Sequence, residues 1–178
     1  MGVGGVGMLV HFNEISPHGS QFIIHEVRGL ADQDDLVVQG PLIAECSLER
    51  KGESKVTLQG KIVVEVLLPC DRCLCDYPFR VDTAFQLLFA LEDDEAWQVK
   101  ALESIPSDLE TEVLTEPVID LDDVLRQQVY LALPVKSLCS PSCAGLCLQC
   151  GTNLNETTCE CSKTGKKSPF AALAQLKK

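Results

Sequence analysis

The sequence lacks any apolar run approaching 18 residues, so nothing in it reads as a membrane span. Its opening, MGVGGVGMLVHF, has neither a basic stretch nor a long apolar core, which argues against a secretory signal. A myristoyl anchor is not indicated, because Val6 stands where that motif wants Ser or Thr. Histidine is scarce: His11, His18 and His25 all lie near the start, in no pattern with the cysteines. There is no HExxH, no GxGxxG, no P-loop and no Ser/His/Asp order, so nothing reads as an active site. Basic residues are few. Fifteen Lys and Arg against 26 Asp and Glu leave a net charge of −11. Such a surface on average repels nucleic acid and suits a basic protein partner.

The chain does have cysteine. Ten are present, six of them between Leu138 and Cys161. With no export signal the expected location is the cytoplasm, where disulfides rarely persist, and this many thiols then point to metal or redox chemistry. The spacing favours metal. Cys147-x2-Cys150 followed by Cys159-x-Cys161 offers four thiolates across a turn, with Gly151, Asn153 and Asn155 as turn formers. A closed structural Zn²⁺ site needs four such ligands at about 2.3 Å. Cys70-x2-Cys73 and Cys139-x3-Cys143 form a second set that would tie a strand end to the C-terminal segment. The alternative is one site joining Cys70 and Cys73 to Cys147 and Cys150. One or two Zn²⁺ per chain are therefore expected. Cys46 reads as a buried, inert strand residue and Cys75 as non-ligating. A thiol–disulfide oxidoreductase is the remaining alternative. Its C-x2-C pair should open a helix, whereas Cys70 closes a strand.

The 178 residues can bury a real core. Met8 is a second candidate initiator, and residues 1–7 are expected to form a disordered leader. QFIIHEVRG (21–29) reads as a short strand. Residues 36–50 and 55–69 read as strands joined by a KGES turn; in the second, Val56, Leu58, Ile62, Val64, Val66 and Leu68 share one face. Residues 77–91 read as another strand. From Glu92 to Asp123 twelve acidic residues face one basic residue, which predicts a solvated loop and, in a sharper reading, a docking surface for a basic partner. A helix follows at 119–134, capped by Asp120, with Asp122 and Asp123 suited to its positive end and Pro134 stopping it. Leu121, Val124, Leu125, Gln128, Val129 and Leu131 or Ala132 form its packing stripe. SPFAALAQLKK (168–178) predicts a short terminal helix. The expected fold is α+β: an antiparallel sheet that could close into a barrel, an acidic loop, a helix, a cysteine-rich zinc-binding region and a short C-terminal helix. A β-rich body (8–134) and a cysteine-rich region (135–178) are expected to pack as one structural unit.

The blocks LPCDRCLCDYPF, IDLDDVLRQQVYLALPVKSLC, CAGLCLQCGTNLNETTCEC and SPFAALAQLKK, in that order, resemble the YceD family, the large ribosomal RNA subunit accumulation proteins. The likeness runs over residues 8–178. It implies a cytosolic bacterial protein, with plastid relatives, that supports accumulation of 23S ribosomal RNA and has no enzymatic activity. The family's CxRC motif falls on Cys70, Arg72 and Cys73, and its distal cluster on Cys139, Cys143, Cys147, Cys150, Cys159 and Cys161. Cys75 stands where the family often has Glu, which supports treating it as incidental; Gln127 also stands where the family often has Glu, so a role for that carboxylate is in doubt here. The partner expected on these grounds is a ribosomal protein or large-subunit assembly factor, with no membrane and no small-molecule substrate. Direct rRNA contact would run through Arg72, Lys163, Lys166, Lys167, Lys177 and Lys178. Arg72 alternatively offsets thiolate charge or is simply solvated.

Overall fold

The computed structural model describes residues 8–30, 36–92 and 110–161. The chain divides into two compact units: Met1–Leu68 with Pro78–Val135, and Pro69–Tyr77 with Lys136–Lys178. The expected leader (1–7) and terminal helix (168–178) lie outside the described residues.

The longer strands of the first unit alternate apolar and polar residues. β1 is Leu9–His11, β2 Ser20–Ile24, β3 Val37–Arg50, β4 Lys55–Pro69, β5 Asp76–Leu91, β6 Glu110–Leu114 and β7 Val118–Asp120. One helix, α1, spans Leu121–Ala132. Five strands form one sheet in the order β2-β3-β4-β5-β6, and β1 pairs with β7 in a two-stranded sheet. β2 and β3 are antiparallel, as are β3 and β4, with Leu48 opposite Leu58, Cys46 opposite Gly60 and Ala44 opposite Ile62. Successive side chains in a strand point to opposite faces. Even-numbered residues of β3 and β4 therefore share the core face, and Leu48, Val56, Leu58, Ile62, Val64 and Val66 are all fully buried. Each such side chain contributes about 1.5–3 kcal/mol on burial. The expected KGES turn joins β3 to β4, with the Lys51 N–H donating to the Lys55 carbonyl at 2.8 Å. The β3 register shifts between Gln39 and Ile43, where Pro41 has no N–H to give the ladder.

The sheet does not close into a barrel. β2 and β6 are its two ends, and each has only five residues beside central strands of 14 to 16. Two such short ends cannot supply the continuous ladder that closure needs. Nor is the sheet wholly antiparallel, since β6 runs parallel to β5, from Leu87 opposite Glu110 to Leu91 opposite Leu114. The expected acidic loop also contains structure. Glu110–Leu114 and Val118–Asp120 are strands, and Ile119 is buried among the charges. Neither strand alternates apolar and polar residues: Val113 and Leu114 are adjacent, as are Val118 and Ile119, so no strand pattern stands out among the carboxylates. Residues 93–109 of that stretch lie outside the described residues.

Helix α1 starts where its sequence predicts. The Asp120 side chain accepts from the Asp123 N–H at 3.2 Å, and Leu121, Val124, Leu125 and Val129 are buried. Leu131 is exposed, so the stripe continues through Ala132. Asp122 is buried as well, which a surface role at the helix end does not explain. Its Oδ2 accepts from the Met8 N–H at 2.9 Å and its Oδ1 from the Arg28 N–H at 3.2 Å. One carboxylate thus pins two distant backbone segments to the start of the helix. Gly60 has its own packing reason: a Cβ built there would overlap the Phe85 ring.

Candidate metal centres

The second unit holds eight of its nine cysteines in two groups. Cys70 and Cys73 lie on the turn between β4 and β5, and Cys139 and Cys143 follow the end of α1 in sequence. Their four sulfurs lie within 4.8 Å of one another. Cys70 Sγ is 3.8 Å from Cys143 Sγ, and Cys73 Sγ is 3.7 Å from Cys139 Sγ. A tetrahedral ion with metal–sulfur bonds of about 2.3 Å sets its ligands about 3.8 Å apart. A disulfide would need about 2.05 Å, and all four thiols are free. The four thiols are therefore spaced so that they could hold one metal ion.

Two residues inside the first C-x2-C turn hold this group together. The Asp71 N–H donates to the Ser137 carbonyl and the Ser137 N–H to Asp71 Oδ2, both at 2.8 Å. The Arg72 guanidinium donates to the Cys143 carbonyl at 2.8 Å, and the Arg72 carbonyl accepts from the Leu146 N–H at 3.1 Å. Arg72 thus links the two halves of the site, a use of the side chain that sequence reasoning did not anticipate.

Cys147, Cys150, Cys159 and Cys161 form the other group, again with all sulfurs within 4.8 Å of one another. Here the chain returns through a bridge between Leu146 and Asn153, and the Cys147 N–H donates to the Thr152 carbonyl at 2.8 Å. The two C-x2-C turns share one backbone geometry. In the first, the Leu74 N–H donates to the Cys70 carbonyl at 2.9 Å; in the second, the Gly151 N–H donates to the Cys147 carbonyl at 2.8 Å. Both residues are left-handed, with φ of 60° and 72°. This conformation lets the chain curl back so that both thiols face one point.

The unit's interior is short of anything else. Among its described residues the buried hydrophobic positions are Cys70, Cys73 and Cys143, with Tyr77, Leu138 and Leu146 packed beside them. So small a core does not usually hold a fold without disulfides or a structural metal. With no disulfide formed, the donor set fits a thiophilic divalent ion.

The thiols in each group shift one another's protonation. Cys70 is held down to about 6, chiefly by the Cys139 backbone N–H and also by those of Cys73 and Arg72, against the opposing effect of burial. Cys150 is likewise lowered to about 6, first by the Thr152 side chain, whose hydroxyl lies 3.2 Å away, and then by the Thr152 N–H. Their neighbours move the other way. Cys161 is raised to about 12 by the Cys150 thiol and by burial, and Cys139 is raised first by Cys143. Several thiolates at this spacing repel one another unless a cation lies among them. A metal ion supplies that charge, and its binding releases the protons.

The two groups divide the eight thiols as 70/73/139/143 and 147/150/159/161. Cys46 is buried in β3, and burial pushes its thiol up to about 11. Cys75 is exposed, outside both groups, and its sulfur accepts from Asn153 Nδ2 at 3.3 Å. Lys163, Lys166, Lys167, Lys177 and Lys178 lie outside the described residues. Sequence reasoning treated Asn153 and Asn155 as turn formers only. Asn155 Nδ2 also donates to Cys143 Sγ at 3.3 Å, a contact between segments that no spacing rule reveals.

A mainly antiparallel sheet in one unit and two four-cysteine groups that could hold metal in the other define the class of protein. Comparison with known proteins defines the family. The profile described as "Large ribosomal RNA subunit accumulation protein YceD" matches residues 58–177, and the chain belongs to the YceD family. It is 34% identical over 59 residues to a protein of Arabidopsis thaliana named large ribosomal RNA subunit accumulation protein YCED homolog 1, chloroplastic, covering 33% of this chain and 18% of that one. The Zea mays protein of the same name is 24% identical over 155 residues, covering 75% of this chain and 53% of its own. An uncharacterised protein of Mycobacterium tuberculosis is 32% identical over 99 residues, covering 56% and 45%. The chain thus spans about half the length of these relatives or less. No solved structure matches it significantly. Among the described residues, no helix is long and apolar enough to cross a membrane.

Proposed function

We propose that this chain is a non-enzymatic, cytoplasmic ribosome-biogenesis factor. It supports accumulation of the 23S rRNA of the large subunit by recruiting a basic ribosomal protein or assembly factor. Cys70, Cys73, Cys139 and Cys143 hold one Zn²⁺, and Cys147, Cys150, Cys159 and Cys161 hold a second. The observation that carries the reading is the pair of preformed tetrathiol cages in a member of a family named for rRNA accumulation. The metal's contribution is structural: it cross-links a unit whose described residues offer almost no apolar core.

Charge favours a protein partner over bare RNA. The first unit carries 22 acidic and eight basic residues. The second carries seven basic and four acidic, but each Zn(Cys)4 site adds about −2, which offsets its excess. Direct RNA contact through Arg72, Lys166 and Lys167 is the second reading. Against it, Arg72 already spends a guanidinium donor on Cys143. The oxidoreductase alternative fits less well. A redox C-x2-C pair opens a helix, whereas Cys70 and Cys73 lie on a turn between two strands and the Cys147/Cys150 turn leads into the bridge between Leu146 and Asn153.

The test is complementation. Cells lacking the protein should accumulate less 23S rRNA relative to 16S. The wild-type gene should restore the ratio and Cys143→Ser should not. An unchanged ratio in the deletion strain would contradict the proposed function. Retention of a partner complex in moderate salt would separate the protein route from the RNA route, whose affinity falls steeply with salt.

A further inference from the structure

The two thiol groups are joined through one side chain. Asn155 lies between Cys150 and Cys159, in the span that the second group closes. Its amide Nδ2 nevertheless donates to Cys143 Sγ, a buried thiol of the first group, at 3.3 Å. Two further bonds fix that amide and a third holds the residue's backbone. Asn155 Oδ1 accepts from the Ala144 N–H at 2.7 Å. Asn155 Nδ2 and backbone N–H both reach Asn153 Oδ1, at 2.8 and 3.1 Å. The span itself rests on the strip between the groups, since the Leu154 N–H donates to the Gly145 carbonyl at 2.9 Å. Gly145 lies two residues after Cys143 and two before Cys147.

This geometry has an energetic consequence. A hydrogen bond to a thiolate ligand disperses its charge, and partners of this kind change metal affinity by about 10–100-fold when lost. Here the donor belongs to a loop whose ends are the ligands of the other ion. An ion bound there would tie Cys159 and Cys161 to Cys147 and Cys150 and close the loop that carries Asn155.

We propose that Asn155 is a positioning residue that couples the two metal sites: filling the Cys147/Cys150/Cys159/Cys161 group fixes the Asn155 donor on Cys143 and so raises the affinity of the Cys70/Cys73/Cys139/Cys143 group. Coupling of this kind is reciprocal, so filling the first group also tightens the second. The inference rests on the zinc reading given above and adds to it a cooperativity of loading.

The experiment is a titration of the full chain with Co²⁺ and then Zn²⁺ against a chromophoric chelator, following the tetrathiolate absorption of each site. Asn155→Ala should weaken the first group by about 10–100-fold, the range for lost ligand partners. Asn155→Asp keeps the acceptor for the Ala144 N–H but loses the donor, so it should be at least as impaired. The double variant Cys159→Ser/Cys161→Ser, which opens the second group, should weaken the first similarly. Adding Asn155→Ala to that background should then change little. Far-UV circular dichroism of each variant checks that the sheet is intact. Wild-type affinity in Asn155→Asp, or an Asn155→Ala effect undiminished in the double variant, overturns the coupling while leaving two zinc sites in place. A wild-type chain that forms fewer than two tetrathiolate sites overturns the zinc reading and the coupling with it.

Discussion

Leu74 and Gly151 occupy the same position in the two C-x2-C turns, each left-handed and each donating its N–H to the carbonyl of the turn's first cysteine. Glycine meets that conformation without cost, whereas an L-residue there carries about 1–2 kcal/mol. Leu74 is also 69% exposed, so its side chain contributes little packing. Leu74→Gly should therefore be neutral or stabilising by up to about 1 kcal/mol, since glycine's extra freedom when unfolded offsets part of the relief. Gly151→Leu should destabilise the second site by about 1–2 kcal/mol. Zinc-retention midpoints in a chelator series would check both. A loss in both variants would contradict the equivalence of the turns.

Asp122 supplies a second prediction. Asp122→Ala strands the Met8 and Arg28 N–H groups, each held at present by one carboxylate oxygen. The cost of leaving such donors unmet is about 1–3 kcal/mol. Urea denaturation should show the loss, with Asp122→Asn between the two because its amide keeps one acceptor oxygen. An Asp122→Ala chain as stable as wild type would contradict the pinning role.

Gly60 is the residue that strand propensity would replace first. Gly60→Val should nevertheless destabilise by about 1–3 kcal/mol through overpacking, because the new Cβ meets the Phe85 ring. Adding Phe85→Ala should recover part of that loss. Additive costs in the double variant would mean that the two positions do not interact.

The Cys46 thiol makes stability pH-dependent at the alkaline end. Its folded-state value is about 11 because of burial, above the ordinary thiol near 9. Above pH 9 the unfolded chain loses this proton while the folded chain keeps it, so the unfolded state binds fewer protons and stability falls as pH rises. Below pH 9 the term is constant. Cys46→Ala should be less stable than wild type at neutral pH, with the gap narrowing between pH 9 and 11. A constant gap across that window would contradict the assignment.

Much of this was legible in the sequence because the signals were local. The β4 alternation, the Asp120 cap and the Cys147–Cys161 spacing each sit within about fifteen residues and follow from one rule apiece. Long-range partners were not legible. Nothing near Asp122 in the chain shows that Met8 and Arg28 need its carboxylate, and nothing near Asn155 points to Cys143. The parallel β6 was hidden for another reason. Its five residues carry two carboxylates and only an adjacent Val113–Leu114 pair, with no alternation to mark a strand in an acidic stretch.

The central claim is that eight thiols hold two metal ions, and the most direct measurement counts both on one sample. Protein purified under reducing conditions without added metal would be analysed for zinc by elemental mass spectrometry and for accessible thiols with a thiol-reactive chromophore. The account predicts two zinc ions per chain and one rapidly reacting thiol, the exposed Cys75, with Cys46 protected by burial. It predicts ten reactive thiols once the chain is unfolded in chelator. No bound zinc, with many thiols reacting at once or already joined as disulfides, would contradict it.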